Sequence, residues 1–382
     1  MEHRGALEGI RVLDLSRMLP GPYCSMILAD HGAEVIAIEG RKFQEDGLFF
    51  NDLNRNKKHI TLNLKNPQGV EIFLKLADKA DVILEGFRPG VVERLGVDYE
   101  TVKKRNPKII YCSISGYGQT GPLRDRPGHD VNYLSIAGVL DLIGEKGRPN
   151  VIPGVQIADI AGGAMNAAMG ILLALYARDR TGKGQYIDIS MTDGILGLLS
   201  LPNHFYNVTG KYPKASDGLL SHRYACYNTY ETSDGRYVAL GAVENRFWQR
   251  FCEYLNRPDL TPLQYDEGKR DEIVGYLRQV FLTKTFAMWE SELADLDICY
   301  SGVRNMQEVM DDPLFQQREM VVEHMDENGN KKSSIGIPVK LDGTPGSIRT
   351  PPSQFGEDTR AVLKETGYSE KEINGFFDDG AV

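Results

Sequence analysis

Residues 9–39, GIRVLDLSRMLPGPYCSMILADHGAEVIAIE, contain the pattern that decides the fold. The apolar run at 9–15 predicts a buried strand, and residues 35–39 predict a second one. Between them, Pro20-Gly21-Pro22 leads into a helix predicted over 22–31, where a proline near the first position is tolerated. Two strands joined through a helix are expected to lie parallel in one sheet.

The same alternation continues through the first 200 residues. Helices are predicted over 67–79 and near 91–104, and strands over 82–84 and 109–112. Strands that alternate with helices in this way are typical of a parallel sheet with helices on both faces. The sequence therefore predicts the α/β class.

The pattern changes after about residue 200. Residues 225–242 predict a β-hairpin that turns at Ser233-Asp234-Gly235, and helical segments then dominate to about residue 320. Residues 336–352 are rich in proline and predict an extended segment, which a short helix over 357–366 follows.

The composition narrows the classes of function. The 382 residues suggest two or three domains, and 44 basic against 53 acidic side chains give a net charge of −9. Neither nucleic acid nor an anionic membrane is therefore expected as the main partner. The five cysteines lack a C-x-x-C spacing and the seven histidines lack metal-binding spacings. We therefore expect no disulfide framework, no metal and a reducing, cytoplasmic location.

Neither the longest apolar stretch nor the first residues predict a membrane or export signal. The longest apolar stretch, residues 162–177, is shorter than the roughly 20 residues of a membrane span and contains Asn166, so we interpret it as a buried helix. The first residues, Met1–Gly5, lack the apolar run of a signal peptide.

Ligands of open parallel sheets bind beyond the carboxyl ends of the strands. The residues that follow the predicted strands are 16–18, 85–88 and 115–118, and the run 54–58 is basic. Together they predict an anion-binding rim, although for the lysines of 54–58 a solvated surface is an equal alternative. Arg88 is the stronger candidate, because glycine and proline flank it and predict a rigid turn.

Residues 116–121, GYGQTG, match the pattern G-x-G-x-x-G of dinucleotide-binding proteins and follow a strand. A dinucleotide site requires that the motif open a helix, whereas Pro122 and a polar segment follow here. We therefore interpret the motif as a glycine-rich loop and expect no nicotinamide site.

Three residues are candidates for acid–base chemistry. His129 stands where a helix is predicted to begin and to run through Leu140. This position favours a neutral imidazole able to act as a base. Asp159 directly precedes the predicted buried helix, where its N–H groups and small residues could receive an oxyanion. Glu244 ends a predicted strand and could orient a histidine. For each residue a plain helix-terminal role is an alternative, and for Asp159 a simple N-cap is favoured.

Several motifs together resemble the class III CoA-transferase and α-methylacyl-CoA racemase family. They occur in the family's order along nearly the whole chain: LPGP at 19–22, LADHGAEV at 28–35, EGFRPG at 85–90, SGYGQTGP at 115–122, GHDVNY at 128–133, ADIAGG at 158–163, RTGKGQ at 180–185, GAVE at 241–244 and GTPG at 343–346.

The resemblance implies an architecture and a carrier. We expect a large Rossmann-like domain over 1–200, a smaller α+β domain over 225–330, and a C-terminal segment, 335–382, that returns to the large domain. Two chains are expected to form an interlocked homodimer. Coenzyme A is expected as the substrate carrier, with no bound cofactor and no metal. The residues assigned to CoA are Arg17, Leu62, Leu64, Lys65, Gly86, Arg88, Arg94 and Gly128.

The resemblance also implies two competing chemistries. In the racemase branch His129 and Asp159 transfer protons at the α-carbon of a 2-methylacyl-CoA thioester, with Glu244 supporting the histidine. In the transferase branch Asp159 is a nucleophile that carries acyl and CoA groups. GHDVNY at 128–133 resembles the racemase branch, whereas Val155-Gln156-Ile157 and Tyr300-Ser301-Gly302 depart from the family pattern. A third possibility is an acyl-CoA-binding protein without catalysis.

Overall fold

The computed structural model describes residues 5–45, 49–145, 147–148, 150–325 and 331–382. The chain forms two compact units. The first contains Met1–Val139, Pro153–Leu198 and Glu319–Val382, and the second contains Leu140–Ile152 and Leu199–Arg318. The domain bounds expected from the family resemblance, 1–200, 225–330 and 335–382, stay a prediction. Met1–Arg4, in which no signal peptide was expected, lie outside the described residues.

A six-stranded parallel sheet forms the centre of the first unit, in the order β3-β2-β1-β4-β5-β6. Val, Ile and Leu dominate its central strands, as expected where helices cover both faces of a sheet. The order confirms the predicted α/β class. The strands are β1 (Arg11–Asp14), β2 (Glu34–Glu39), β3 (Lys57–Thr61), β4 (Val82–Glu85), β5 (Ile110–Ser115) and β6 (Tyr186–Ser190).

The helices of the first unit follow the predicted alternation, but several of their bounds differ. The first helix begins at Pro20 rather than at residue 22, because prolines fit the first turn, where no N–H partner is needed. The predicted helical region near 91–104 is two short helices. The helices are α1 (Pro20–Asp30), α2 (Pro67–Ala77), α3 (Val91–Leu95), α4 (Tyr99–Arg105), α5 (Asp130–Ile136), α6 (Asn166–Thr181, preceded by a π-helical segment, Ala158–Met165) and α7 (Met191–Gly197).

The apolar helix is longer and less buried than predicted. Helical structure runs without interruption over Ala158–Thr181, and one face packs on α1, β5 and β6 through residues such as Ile171. The opposite face exposes Leu173 and Tyr176 by 63% and 66%. By length and composition alone this segment could span a membrane, but a core helix of a soluble protein meets the same criteria.

The second unit confirms the predicted β-hairpin. Strands β7 (Tyr227–Glu231) and β8 (Tyr237–Gly241) pair antiparallel, and β9 (Tyr300–Gly302) extends the sheet from β8. Its core contains the fully buried Trp248 and Trp289. The helices of this unit are α8 (Ser200–Thr209), α9 (Asn245–Tyr254), α10 (Arg270–Phe281), α11 (Phe286–Leu293), α12 (Met306–Asp311) and α13 (Pro313–Gln317).

The C-terminal segment belongs to the first unit. Strands β10 (Val321–Met325) and β11 (Lys331–Ile335) form a hairpin that the sequence did not predict. Residues 336–352, predicted to be extended, form neither a helix nor a strand and bend at 338, 342–344 and 350. The predicted last helix is α14 (Thr359–Glu365), and an unpredicted helix, α15 (Glu370–Asp378), follows it. Leu363, Ile373 and Val382 pack into the core beside α2 and the sheet, so the chain end covers one face of the sheet.

Candidate active site

The reversal of strand order between β1 and β4 opens a crevice at the carboxyl edge of the sheet, where α/β proteins bind ligands. A cavity of about 460 Å³ lies there. Its lining comes from the residues after β1, β4 and β5 and from the starts of α5 and of the Ala158–Thr181 helix: Ser16, Arg17, Met18, Pro20, Gly21, Gly86, Phe87, Arg88, Pro89, Ile114, Ser115, Gly116, Arg124, Arg126, Pro127, Gly128, His129, Asn132, Tyr133, Asp159 and Met191.

A buried polar cluster fixes the loop after β1. The Asp14 carboxylate accepts the backbone N–H of Ser16 at 2.9 Å and the hydroxyl protons of Ser16 and Ser25. The Lys57 ammonium lies 3.8 Å from the same carboxylate, and burial lowers the pKa of this lysine to about 8. A Cβ on Gly21 would lie 1.9 Å from the Ser16 hydroxyl oxygen, so this close approach requires glycine.

The basic run at 54–58 does not form the predicted anion-binding rim. Arg55 is 4% exposed and donates to both carboxylate oxygens of Asp30, and Lys57 is enclosed in the polar cluster beneath β1. Lys58 pairs with Glu34 and Glu365. The solvated-surface alternative is wrong for Lys57 as well, because Lys57 is buried at the start of β3 and lies beside Asp14.

His129 begins α5, as predicted, and lines the cavity. Its backbone is extended, with φ −131° and ψ 176°, and its N–H donates to the Asn132 side-chain oxygen at 3.0 Å. The helix ends at Ile136 rather than Leu140. The imidazole is exposed, so a ligand in the cavity can reach it.

Asp159 also lines the cavity, but the favoured N-cap interpretation is wrong. The helical segment begins at Ala158, one residue before Asp159. Its first amides are capped by another residue, since Asp130 Oδ1 accepts the N–H of Ala158 at 2.6 Å and that of Asp159 at 3.0 Å. The Asp159 side chain is therefore available for a different role.

The surroundings of Asp159 make its carboxyl group hold a proton to a higher pH than an aspartate in water does. Burial and, to a smaller extent, the negative charge of Asp130 raise the pKa of Asp159, His129 lowers it, and the net value is about 6. Groups poised near the working pH are suited to general acid–base catalysis. His129 and Asp159 thus meet as an interacting pair in one cavity.

The predicted oxyanion donors are engaged within the protein. The N–H of Asp159 donates to Asp130, and the N–H of Ile160 donates to the Gln156 carbonyl at 3.1 Å. Gly162 and Gly163 are small for packing, because a Cβ at either position would come within 3.0 Å of Met191. This replaces the expectation that small residues there admit a ligand to the backbone.

Cations surround the cavity. Arg17 pairs with Glu39 and stacks its guanidinium 3.6 Å from the centre of the Phe43 ring. Arg124 and Arg126 also line the cavity, although the sequence interpretation did not propose them as ligand-binding residues. The sequence feature that could have identified them is their position in the loop directly before His129.

The pKa of Tyr133 depends on the charges near His129 and Asp159. Its hydroxyl donates to the Gly128 carbonyl at 2.5 Å. Burial and the charge of Asp159 raise the pKa of Tyr133, the charge of Arg88 lowers it, and the net value is about 12. Tyr133 therefore lies within the electrostatic reach of both Asp159 and Arg88.

The residues assigned to CoA separate into two groups. Arg17, Gly86, Arg88 and Gly128 line the cavity, whereas Leu62, Leu64, Lys65 and Arg94 are not among its described lining residues. Of the second group, Leu62 is buried in the core and Leu64 is half-buried against it. Lys65 and Arg94 are exposed, after β3 and on α3 respectively. Their roles stay predictions.

Glu244 belongs to the second unit. It immediately precedes α9, with an extended backbone at φ −71° and ψ 136°, and its side chain makes no capping hydrogen bond to the helix. The N-terminal position agrees with the expected start of a helix, and the proposed support of a histidine stays a prediction.

Comparisons with known proteins cover nearly the whole chain. The family model described as CoA-transferase family III matches residues 7–359. The alpha-methylacyl-CoA racemase of Homo sapiens is 34% identical over 369 residues, with 96% of this chain and 95% of that protein covered. The succinyl-CoA:mesaconate CoA-transferase of Haloarcula marismortui is 33% identical over 387 residues, with 95% and 97% covered.

A solved structure agrees with these sequence matches. The crystal structure of a CAIB/BAIF family protein from Brucella suis superposes with a TM-score of 0.83 at 28% identity, covering 95% of this chain and all of that one. The family match over most of the chain and the relatives above 30% identity confirm the resemblance carried by the sequence motifs. This chain belongs to the CoA-transferase family III, whose relatives named above include both a racemase and a CoA-transferase.

Proposed function

We propose that the chain is an acyl-CoA racemase or epimerase that exchanges the α-proton of 2-methylacyl-CoA-type thioesters. The observation that carries the proposal is the pairing of His129 and Asp159 in one cavity at the carboxyl edge of the sheet. Inversion at a carbon needs a base on one face and an acid on the other, and an imidazole and a carboxyl group with a pKa of about 6 can each serve in either role.

The proton balance is simple. For one enantiomer His129 takes the α-proton while protonated Asp159 donates its proton to the opposite face; for the other enantiomer the roles exchange. The thioester carbonyl accepts the electron pair as the C–H bond breaks and returns it when the new C–H bond forms. No redox step or second substrate is required.

The negative charge that develops on the thioester oxygen needs compensation. Since the N–H groups of Asp159 and Ile160 are engaged, we assign this role to the guanidinium groups that line the cavity, with Arg88 first because its field reaches Tyr133 beside Asp159. Fixed charges aimed at a developing oxyanion are worth on the order of 3 kcal/mol in comparable sites.

A CoA-transferase is the second candidate. It is favoured by the accessible carboxyl group of Asp159 in the cavity and by relatives whose names specify transfer of CoA from succinyl-CoA to mesaconate or glutarate. In this chemistry Asp159 attacks the thioester carbonyl, CoA leaves, and a covalent acyl-aspartyl intermediate forms. His129 has no obligatory part in that reaction.

One experiment separates the two reactions. A single enantiomer of a 2-methylacyl-CoA is incubated with the enzyme in deuterated water, and α-deuterium content and configuration are followed. The racemase proposal predicts loss of configuration with one α-deuterium per inversion. Acyl or CoA exchange onto a free carboxylate without α-exchange would overturn it, and a hydroxylamine-trapped adduct at Asp159 would then identify the transferase.

Two variants sharpen the comparison. His129→Ala is expected to abolish inversion, whereas a transferase would retain part of its activity. Asp159→Asn should abolish both reactions, because both need the carboxyl group. Binding of the acyl-CoA without any turnover by the unmodified chain would instead support a binding protein.

We further propose that two chains form an interlocked homodimer. The support is the apolar face of the Ala158–Thr181 helix, which exposes Met169, Leu173 and Tyr176 by 55%, 63% and 66%. Contiguous exposed apolar surface of this kind is typical of protein interfaces. In this proposal Glu244 orients a histidine within the assembly. Sedimentation equilibrium should give twice the chain mass of 42.6 kDa, and a monomer at micromolar concentration would contradict it.

A further inference from the structure

The two neighbouring strands that border the cavity end in the same way. β1 ends at Asp14, whose carboxylate accepts the backbone N–H of Ser16 at 2.9 Å. β4 ends at Glu85, whose Oε2 accepts the backbone N–H of Phe87 at 2.7 Å. In each case a buried acid accepts the amide two residues further on, where the chain turns into the cavity lining.

The two acids differ in their surroundings. Asp14 has the Lys57 ammonium and two hydroxyl donors. Glu85 is 2% exposed, and burial is the largest influence on it, raising its pKa to about 7. The groups that face it are acidic or neutral: Glu93 on α3, Tyr111, Cys112 and Ser113 on β5, and Tyr186 and Asp188 on β6. Burial without a cation among its described neighbours lowers the stability that this carboxyl group contributes to the fold. Its hydrogen bond to the Phe87 amide therefore suggests a functional reason for its presence.

The bond controls a segment that matters for the cavity. Gly86, Phe87, Arg88 and Pro89 all line it, and Gly86 packs against Ser16, where an added Cβ would lie 3.4 Å from the Ser16 Cβ. The segment packs against Ser16 on one side, and the hydrogen bond from the Phe87 N–H to the Glu85 carboxyl group links it to the end of β4. Loss of that bond would allow the segment to turn away from the cavity.

We propose that Glu85 is a positioning residue, whose hydrogen bond to the Phe87 amide holds the 86–89 segment so that Arg88 is presented to the acyl-CoA in the cavity. This inference rests on the proposed function only in taking the cavity as the CoA-ester site, and it holds for either reaction at Asp159. An ionised acceptor binds an amide more strongly than a neutral one, so the segment is held more firmly when Glu85 is ionised.

The test compares three variants in the full chain. Glu85→Ala removes the acceptor, Glu85→Gln keeps an oxygen that can accept from Phe87, and Glu93→Gln removes a nearby charge without touching the amide. The dissociation constant of coenzyme A itself is measured by calorimetry, and KM and kcat are measured with the acyl-CoA substrate. We expect Glu85→Ala to weaken CoA binding and raise KM about tenfold, with a smaller change in kcat, since tenfold corresponds to one hydrogen-bond-sized loss. Glu85→Gln should restore both within about threefold. Glu93→Gln should leave both unchanged at pH 8, where Glu85 is ionised with or without the neighbouring charge.

Wild-type affinity in Glu85→Ala would overturn the proposal, and so would failure of Glu85→Gln to restore affinity in a folded chain. If Glu85→Ala does not fold, the pH dependence decides instead. From pH 6 to pH 8 the wild-type protein should gain affinity for coenzyme A relative to Glu85→Gln, and a constant ratio would overturn the proposal. Amide hydrogen exchange of peptides covering 86–89 should be faster in Glu85→Ala. Binding and exchange do not depend on turnover, so their outcome is distinct from failure of the racemase assay.

Discussion

Replacement of Asp130 by asparagine tests how the cavity sets the acidity of its central carboxyl group. The asparagine oxygen can still accept the N–H groups of Ala158 and Asp159, so the helix start keeps its cap, while a full negative charge is removed. The charge of Asp130 is one of two influences that raise the pKa of Asp159, and burial is the larger. The pKa of Asp159 should therefore fall.

The expected size follows from the position of Asp159. Its pKa lies at about 6, against an ordinary value of 3.8. Because burial contributes the larger part, we expect Asp130→Asn to lower the pKa by on the order of one pH unit or less. At pH 5 a change of one unit raises the ionised fraction of Asp159 about fivefold.

The assay is the pH dependence of kcat/KM for α-deuterium exchange, measured in the direction in which Asp159 acts as the base. The acidic limb should move to lower pH in Asp130→Asn, and the plateau should fall a few-fold because the carboxylate is a weaker base. Asp130→Ala, which also removes the cap, should lose activity at every pH. An acidic limb that is unchanged or moves to higher pH in Asp130→Asn would refute the reasoning.

Three further substitutions test the energetics of the first unit. Glu85 has a pKa of about 7 in the fold against an ordinary value of 4.5, so the unfolded chain ionises first and the free energy of unfolding falls as the pH rises from about 4.5 to 7. Between pH 4.5 and pH 8, Glu85→Gln should therefore gain up to about 3 kcal/mol of stability relative to the wild type in urea unfolding. A difference that stays constant with pH would contradict this. Lys57→Met removes the cation beside buried Asp14 and should cost about 3 kcal/mol in the same measurement, whereas a loss below about 1 kcal/mol would mean that the hydroxyl donors suffice. Gly116→Ala would place a Cβ 2.4 Å from the Tyr133 ring, so thermal unfolding should show a loss of about 1–3 kcal/mol, and an unchanged midpoint would show that the ring moves aside freely.

The central sheet could be predicted because its signal is local. The apolar runs of β1, β2, β4 and β5 and the helices between them appear in the sequence with little interruption, and the strand-end rule then selects residues that do line the cavity, among them Arg17 and Arg88. β3 was missed because its residues are basic, and their pairing with buried acids is visible only in three dimensions.

The roles of side chains within the site could not be predicted, because they depend on contacts between residues that are distant in the sequence. Asp159 resembles an N-cap in the sequence, but Asp130, 29 residues earlier, supplies the cap. Because Asp130 caps the helix, the Asp159 side chain is not needed as a cap. The same contact occupies the Asp159 N–H, which was expected to bind an oxyanion. Glu85 likewise reads as the polar end of a strand, and only the bond to Phe87 gives it a role.

The central claim is that His129 and Asp159 exchange the α-proton of a thioester between them. The most direct measurement follows each separate enantiomer of a 2-methylacyl-CoA in deuterated water by chiral analysis and mass spectrometry. The account predicts that both enantiomers converge on the same mixture, that each inversion introduces one deuterium, and that His129→Ala stops both processes. Retention of configuration without deuterium uptake, alongside transfer of CoA to an added carboxylate, would contradict it.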